Sequence, residues 1–354
     1  MRCFREVRTL GVIIWALVLG LLCQTAPGRD VKLVVRPQKV ATEVGKYALL
    51  PLAASLVDGD AVPWYDKALK ALPAGKAGDD QVQQYLKMPI DKLPVEKAEQ
   101  MLKAYVESFK YAVQGAKCRE CRWPASIAGE PAHEPQYVRL GRALRLWAHY
   151  EIAQGNHEGA LLAMQTGIGM GRHLSQGPNQ MQFLVGVGIM AGLCREIEEL
   201  VQTEDAPNLH GALGTLPRPT VYVEKIMDSE KKAGAKFKQS GPPAGMTRAQ
   251  FENELKQGEE RWKTLPERLG VLAKRFDRDL ALLQSVEAIR AYAASHKGQL
   301  PQTLGEITEV AVPKDPMSGA AFRYTRTGAT AVLESSNLYG GKEEVVRYEI
   351  TVKD

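Results

Sequence analysis

Apolar residues recur at helical spacing along most of the chain. Over residues 93–117, Ala98, Met101, Leu102, Tyr105, Phe109 and Ala112 share one face, which predicts a single amphipathic helix. Pro94 suits its first turn and Gly115 its end. From Tyr137 onward the pattern predicts three consecutive helices. Leu140, Ala143, Leu144, Trp147 and Ile152 make the first stripe; Ala160, Leu161, Met164, Ile168 and Leu174 make the second; residues 181–201 form the third. Gly155-Asn156 and the run 175–180 interrupt them. Upstream, residues 30–37 read as one strand ended by Pro37, 59–73 as a helix with Asp60 as N-cap, and 74–80 as a turn. Downstream, helical spacing resumes after Asp205 with a break at Pro217-Arg218-Pro219. Residues 239–247, QSGPPAGMT, read as a linker. Thr247 and Gln250 then have the spacing of a capping box that restarts a helix, and the last helix ends at Gly298. Beyond it, the runs 321–328, 330–335 and 345–352 alternate polar and apolar residues, as short strands do.

The N-terminus follows a different pattern. Residues 1–8 carry three arginines and one glutamate, and residues 9–23 are apolar throughout. That stretch fits the apolar core of an export signal and falls short of the roughly twenty residues needed to span a bilayer. Cleavage after Gly28 would use Ala26-Pro27-Gly28. An uncleaved anchor is the main alternative, and a lipoprotein at Cys23 is disfavoured by the bulky Leu22 before it. The longest later apolar run, 183–194, stops at Arg195. The chain is therefore expected to be exported, periplasmic or extracytoplasmic, touching a membrane only through an uncleaved signal. Its 45% hydrophobic and 25% charged residues are those of an ordinary soluble protein. The formal charge is +5, two of which belong to the leader; what remains is too small and too dispersed to argue for nucleic acid.

Three resemblances add to this. Ala148, Gly155, Ala160 and Met164 sit where a tetratricopeptide hairpin places small, turn, small and large residues. The match covers one unit; Trp147 is bulky for that repeat and no second copy follows at its period. The segments AIRAYAASHKGQLPQTLGEI and VPKDPMSGAAFRYTRTG, within residues 280–335, resemble the soluble part of a type II secretion major pseudopilin. The resemblance implies a helix, a turn and a small sheet. The chain departs from that family in lacking its cleavable leader and attached long helix, which speaks against filament assembly. The stretches GDAVPWYDKAL, DKLPVEKAEQ, LSQGPNQMQFLVGVGI and DAPNLHGALGTLPRP are similar to a family of uncharacterised exported bacterial proteins, which implies export and a mostly helical body but no activity. The expected fold is mainly α: stacked helical hairpins, a tetratricopeptide-like or α-solenoid-like layer, with a small C-terminal α+β module. The expected divisions are a signal peptide at 1–28, a helical domain at 29–238, a linker at 239–247, and a long helix with a β module at 248–354.

Candidate chemistry is sparse. Cys118-x-x-Cys121 follows a helix, near its negative end, in a region that reads as all-helical; a redox pair wants its leading cysteine at a helix N-terminus. Zinc would need four ligands, and only Cys194 and scattered histidines remain. Arg122 stands where a c-type haem site needs histidine. A disulfide between Cys118 and Cys121, a pairing with Cys194, or inert thiols is the favoured reading, with redox and metal roles left open. His157-Glu158 fails the zinc-protease pattern because Leu161 occupies its last position. His149 and His157 flank a turn, with Glu151 between them, and a surface or capping role outweighs a joint site. His173 near a helix end is explained by the helix dipole. Gly186, Gly188 and Gly192 lie in helical periodicity, where they admit a close neighbour rather than a nucleotide. Ser229 to Lys232 matches S-x-x-K without the companion motifs. Asp315-Pro316-Met317-Ser318-Gly319 reads as a plain turn, with calcium ligation through Asp315 as the alternative.

No catalytic, metal or cofactor set converges from spacing alone. The leading expectation is an exported helical protein that offers a binding or scaffold surface to another protein or a cell-envelope component. The alternatives are an extracytoplasmic enzyme whose residues meet only in three dimensions, and an accessory part of a secretion or pilus-like assembly.

Overall fold

A computed structural model describes residues 28–41, 45–124, 134–242, 245–339 and 342–353. The expected leader lies outside the described residues except for Gly28, as do Pro243 and Ala244 of the linker. The fold is mainly helical, with a small four-stranded sheet and a two-stranded one.

The first strand, β1 (Arg29–Val35), pairs parallel with the last, β6 (Lys342–Val352), so the two ends of the described chain share one sheet. β6 pairs antiparallel with β5 (Thr330–Tyr339), and β5 with β4 (Arg323–Thr327). Period-two alternation decides which face is inside. Leu33 and Val35, Ala331 and Leu333, and Val346, Tyr348 and Ile350 are all buried. The second sheet pairs β2 (Val57–Asp60) with β3 (Cys118–Glu120) in parallel.

Several local expectations need correction. The helix after Asp60 is α1 (Val62–Lys70); Asp60 ends β2, although its Oδ1 still accepts from the Val62 N–H at 3.1 Å. The run 74–80 is not a turn throughout, because α2 (Lys76–Tyr85) begins inside it. Local propensity loses there to tertiary contacts: Asp79 pairs with Arg139 at 2.7 Å, and Val82 and Tyr85 are buried. The single helix expected over 93–117 is two, α3 (Val95–Lys103) and α4 (Val106–Ala116). The apolar stripe runs unbroken across the bend at Ala104-Tyr105, so periodicity could not reveal it. Gly115 lies inside the last turn of α4, where the Tyr65 ring leaves no room for a side chain: an added Cβ would stand 2.5 Å from Tyr65 Cε1.

The three helices after Tyr137 are α5 (Glu134–Ala153), α6 (His157–Ser175) and α7 (Gln180–Leu200), and all three pack against one another. Asn156 and Asn179 cap the second and third, accepting from the N–H groups of Gly159 and Gln182. α6 and α7 approach so closely that a Cβ on Gly171 would stand 2.8 Å from the Gly186 carbonyl oxygen; small residues here set the helix spacing.

A short helix, α8 (His210–Gly214), and α9 (Glu224–Ser240) lead to α10 (Arg248–Ser295), 48 residues long. The expected capping box is present at its start: Thr247 accepts from the Gln250 N–H, and the Gln250 side chain accepts from the Thr247 N–H. The C-terminal part of α10 is buried on every side, including Leu280, Leu282, Leu283, Val286 and Ile289. One apolar core runs from Leu33 of β1 through these helices to Ile350 of β6.

Candidate functional site

Helices α3 and α4 on one side, and α5 and α6 on the other, enclose a cavity of about 470 Å³. Its floor is apolar: Leu102, Phe109, Val113, Trp147 and Tyr150 line it, with Val106 and Leu162 on its edges. Phe109 and Trp147 stack with centroids 4.9 Å apart, and Tyr105 extends the stack behind Phe109 at 5.9 Å. Val106 and Leu162 are 45% and 39% exposed, far more than an aliphatic side chain in a closed core. The rim is charged in pairs. Lys103 bonds Glu99 at 2.9 Å, Lys110 bonds Glu107 at 2.6 Å, and Trp147 Nε1 donates to Glu151 at 2.9 Å. An apolar floor with a polar rim is the anatomy of a surface that takes another molecule's apolar side chain.

A second cavity, about 640 Å³, adjoins the first across Leu162, which lines both. Lys46, Tyr47, His157, Glu158, Gln165 and Asp205 lie around it. A third, about 490 Å³, shares Gly45, Tyr47, Ala48 and Leu52 with the second and reaches Asn208 and Thr215. The three cavities are thus neighbours, linked in sequence by these shared lining residues.

The histidines do not meet. His149 is buried and its Nδ1 bonds Glu196 at 2.7 Å, while Arg145 bonds the other carboxylate oxygen at 2.5 Å. Burial opposes the imidazolium, but the hydrogen bond and charge of Glu196 outweigh it and raise the His149 pKa. His157 instead lines the second cavity, 3.3 Å from Thr203 Oγ1, and burial lowers its pKa, with Asp205 opposing. Glu151 serves Trp147 and Asn156 rather than either histidine. For His173 the dipole account is overturned. Tyr65 Oη lies 2.7 Å from its Nδ1, and burial, reinforced by Arg172, depresses its pKa to about 4, so it is neutral.

Cys118, Cys121 and Cys194 are free thiols. Cys118 opens a strand rather than lying in all-helical surroundings, and its Sγ donates to the Gln114 carbonyl at 3.4 Å. Burial, then the charge of Asp60, raises the pKa values of both Cys118 and Cys121. That is the reverse of what a redox thiolate needs. The neighbouring cations are already matched: Arg119 bonds Asp58 at 2.9 Å and Arg122 bonds Glu120. Trp123 folds back over the pair's neighbour Tyr65, stacking on it at 6.3 Å and donating to the His173 carbonyl at 2.7 Å. Asp315 forms a turn. Its Oδ1 accepts from the Met317 N–H at 2.8 Å and its Oδ2 from Ser335 Oγ at 2.6 Å, so both oxygens are held by protein donors.

Sequence reasoning missed a set of buried ions. Glu198 of α7 takes Arg29 of β1 and the Tyr348 hydroxyl of β6, the latter at 2.6 Å. Arg290 of α10 bonds Glu287 at 2.8 Å and donates to the carbonyls of Arg36, Ala206 and Pro207. Arg278 bonds Asp279 at 2.9 Å, and Asp277 accepts from the Thr220 hydroxyl at 2.7 Å. The available signal was charge inside apolar stripes: Arg145 beside Leu144, and Glu196 and Glu198 around Ile197. Glu198 and Glu196 join separate elements, Arg290 reaches loop carbonyls, Arg278–Asp279 lies within α10, and none of these ions lines the three cavities. Among the described residues no group of three or more histidine, cysteine or carboxylate side chains is placed to hold a metal ion, and no helix is long and apolar enough to cross a membrane. No family model matches this chain, and neither the curated proteins nor the solved structures give a significant match.

Proposed function

We propose that this is an exported binding or scaffold protein of the cell envelope, whose helical layer takes an apolar segment of a partner protein into the groove between α3–α4 and α5–α6. The observation that carries this reading is the stacked Phe109–Trp147 floor open between two exposed aliphatic edges, Val106 and Leu162. Buried aromatic anchors ringed by polar groups are where binding energy concentrates in interfaces. Helical hairpins of tetratricopeptide type, which the sequence around α5 and α6 resembles, present such grooves.

Two other readings have less support. An enzyme would need ionisable groups converging on a cavity; the buried ions here bridge elements instead. A filament or secretion component built on the pseudopilin-like segment would need its helix free to extend, yet residues 288–291 and Ala293 of that helix are buried in the core.

The test is site-specific photocrosslinking in the native envelope. A crosslinker at Val106 or Leu162 should capture a defined partner, one at the equally exposed Tyr222 should not, and Trp147→Ala should abolish capture at the groove. Equal capture at all three positions would refute the assignment.

A further inference from the structure

The second cavity has an unusual balance of hydrogen-bonding atoms. Gln165 Nε2 donates to the carbonyls of Leu50 at 3.0 Å and Ala48 at 3.5 Å, so the side chain's remaining polar atom is an acceptor. Ser55 gives its hydroxyl proton to the Leu52 carbonyl at 2.8 Å, leaving oxygen lone pairs. Thr203 likewise gives its proton to the Leu200 carbonyl at 2.8 Å; its oxygen therefore accepts from His157 Nε2, and His157 Nδ1 is left as a lone pair. Asn156 is spent at both ends, on the Gly159 N–H and on Glu151. Glu158 and Asp205 add two exposed carboxylates. Against these stand the ammonium of Lys46, the Tyr47 hydroxyl, which can donate or accept, and the positive end of α6, equivalent to roughly half a charge. Acceptors dominate, and an anion entering would meet two carboxylates.

We propose that this cavity holds a guanidinium group, carried as an arginine on the same partner segment whose apolar side chain fills the adjoining groove. Guanidinium offers five N–H donors and no acceptor, which suits a wall of acceptors better than any neutral group. Leu162 lines both cavities, so one short segment spans them. The cation site stands on the cavity alone; its delivery on a peptide rests on the groove reading.

The experiment titrates the folded protein with acetyl-arginine amide and with its uncharged isostere, acetyl-citrulline amide, while following the side-chain NMR signals of His157 and Gln165. The arginine compound should shift both signals and the citrulline compound neither, and Glu158→Gln with Asp205→Asn should remove the response. Asp205 has a φ of 55°, which asparagine tolerates, so that variant keeps the backbone. Equal shifts from the two compounds, or none from arginine, would overturn the cation site. Peptides joining leucine to arginine at varied spacing should bind at least about tenfold tighter than either half, through effective concentration, and should weaken in Trp147→Ala. If arginine amide binds but no joined peptide gains, the shared-segment part falls and the cation site stands. If leucine peptides bind with Trp147 dependence and no arginine preference, the groove reading stands and this inference falls.

Discussion

Phe109 of α4 and Trp147 of α5 stack at 4.9 Å with their planes 16° apart, across a helix junction that no local sequence signal marks. The pair does two jobs at once: it joins α4 to α5 and forms the groove floor. Trp147→Phe should keep an aromatic partner for Phe109 while losing the Nε1 hydrogen bond to Glu151 and the contact of one ring, costing about 1–2 kcal/mol. Trp147→Ala should cost about 2–3 kcal/mol, less than for a fully buried ring because Trp147 is only partly buried. Urea denaturation separates the two, and equal losses would mean that the stack contributes nothing.

His173 should make the fold acid-sensitive. Its native pKa is about 4, against an ordinary 6.5. Between those values the unfolded chain binds a proton that the native state does not, so stability rises with pH across the window. The difference corresponds to about 3 kcal/mol, lost as pH falls from 6.5 to 4. His173→Asn retains an acceptor for the Tyr65 hydroxyl and should flatten that slope. Chemical denaturation at pH 4.5 and 6.5 measures it; an unchanged slope in the variant would place the acid sensitivity elsewhere.

His149 should act in the opposite sense. Its pKa is raised in the native state, with Glu196 overcoming burial. The native protein then holds a proton above 6.5 that the unfolded chain has released. Its contribution is complete below 6.5 and fades as pH rises through the native pKa. His149→Asn keeps a donor to Glu196 without a titrating group, so it should remove the alkaline fade and leave the His173 acid slope intact. Titration of the His149 ring signals by NMR should give a midpoint above 6.5, and a midpoint below that value would reverse the assignment.

Helix existence was legible in the sequence because burial and periodicity coincide in α5, α6 and α7. The capping box at Thr247 was legible because it is a local motif. The bend at Ala104-Tyr105 was not, because Tyr105 stays on the buried stripe through it. Nor was the pairing of β1 with β6: alternation says which face of Leu33 and Val35 turns inward, but not which strand lies alongside. Phe109 and Trp147 fall in two separate apolar stripes of the sequence. Their meeting in one groove depends on how α3–α4 crosses α5–α6, which periodicity does not encode. The buried ions were hidden for a related reason. Glu198 looks like an ordinary solvated charge until its partners, Arg29 and Tyr348, arrive from opposite ends of the chain.

That ion cluster yields the sharpest stability test. Glu198 is almost fully buried, accepts from both Arg29 and Tyr348, and binds the first and last strands to α7. Removing one member leaves the others buried and unmatched. Glu198→Gln or Arg29→Met alone should therefore cost about 3–5 kcal/mol. The cost is one of mismatch rather than of lost attraction, since two desolvated charges gain little over apolar groups of the same shape. Replacing the cluster together, Arg29→Met with Glu198→Leu and Tyr348→Phe, removes its three mutually bonded side chains and leaves the neighbouring charges of Asp279 and Arg195 in place. The triple variant should return to within about 1–2 kcal/mol of the parent, or exceed it. Denaturation of the singles, the Arg29–Glu198 double and the triple completes the comparison. A triple variant as unstable as its worst single would show that the strands are held to α7 by the charges themselves.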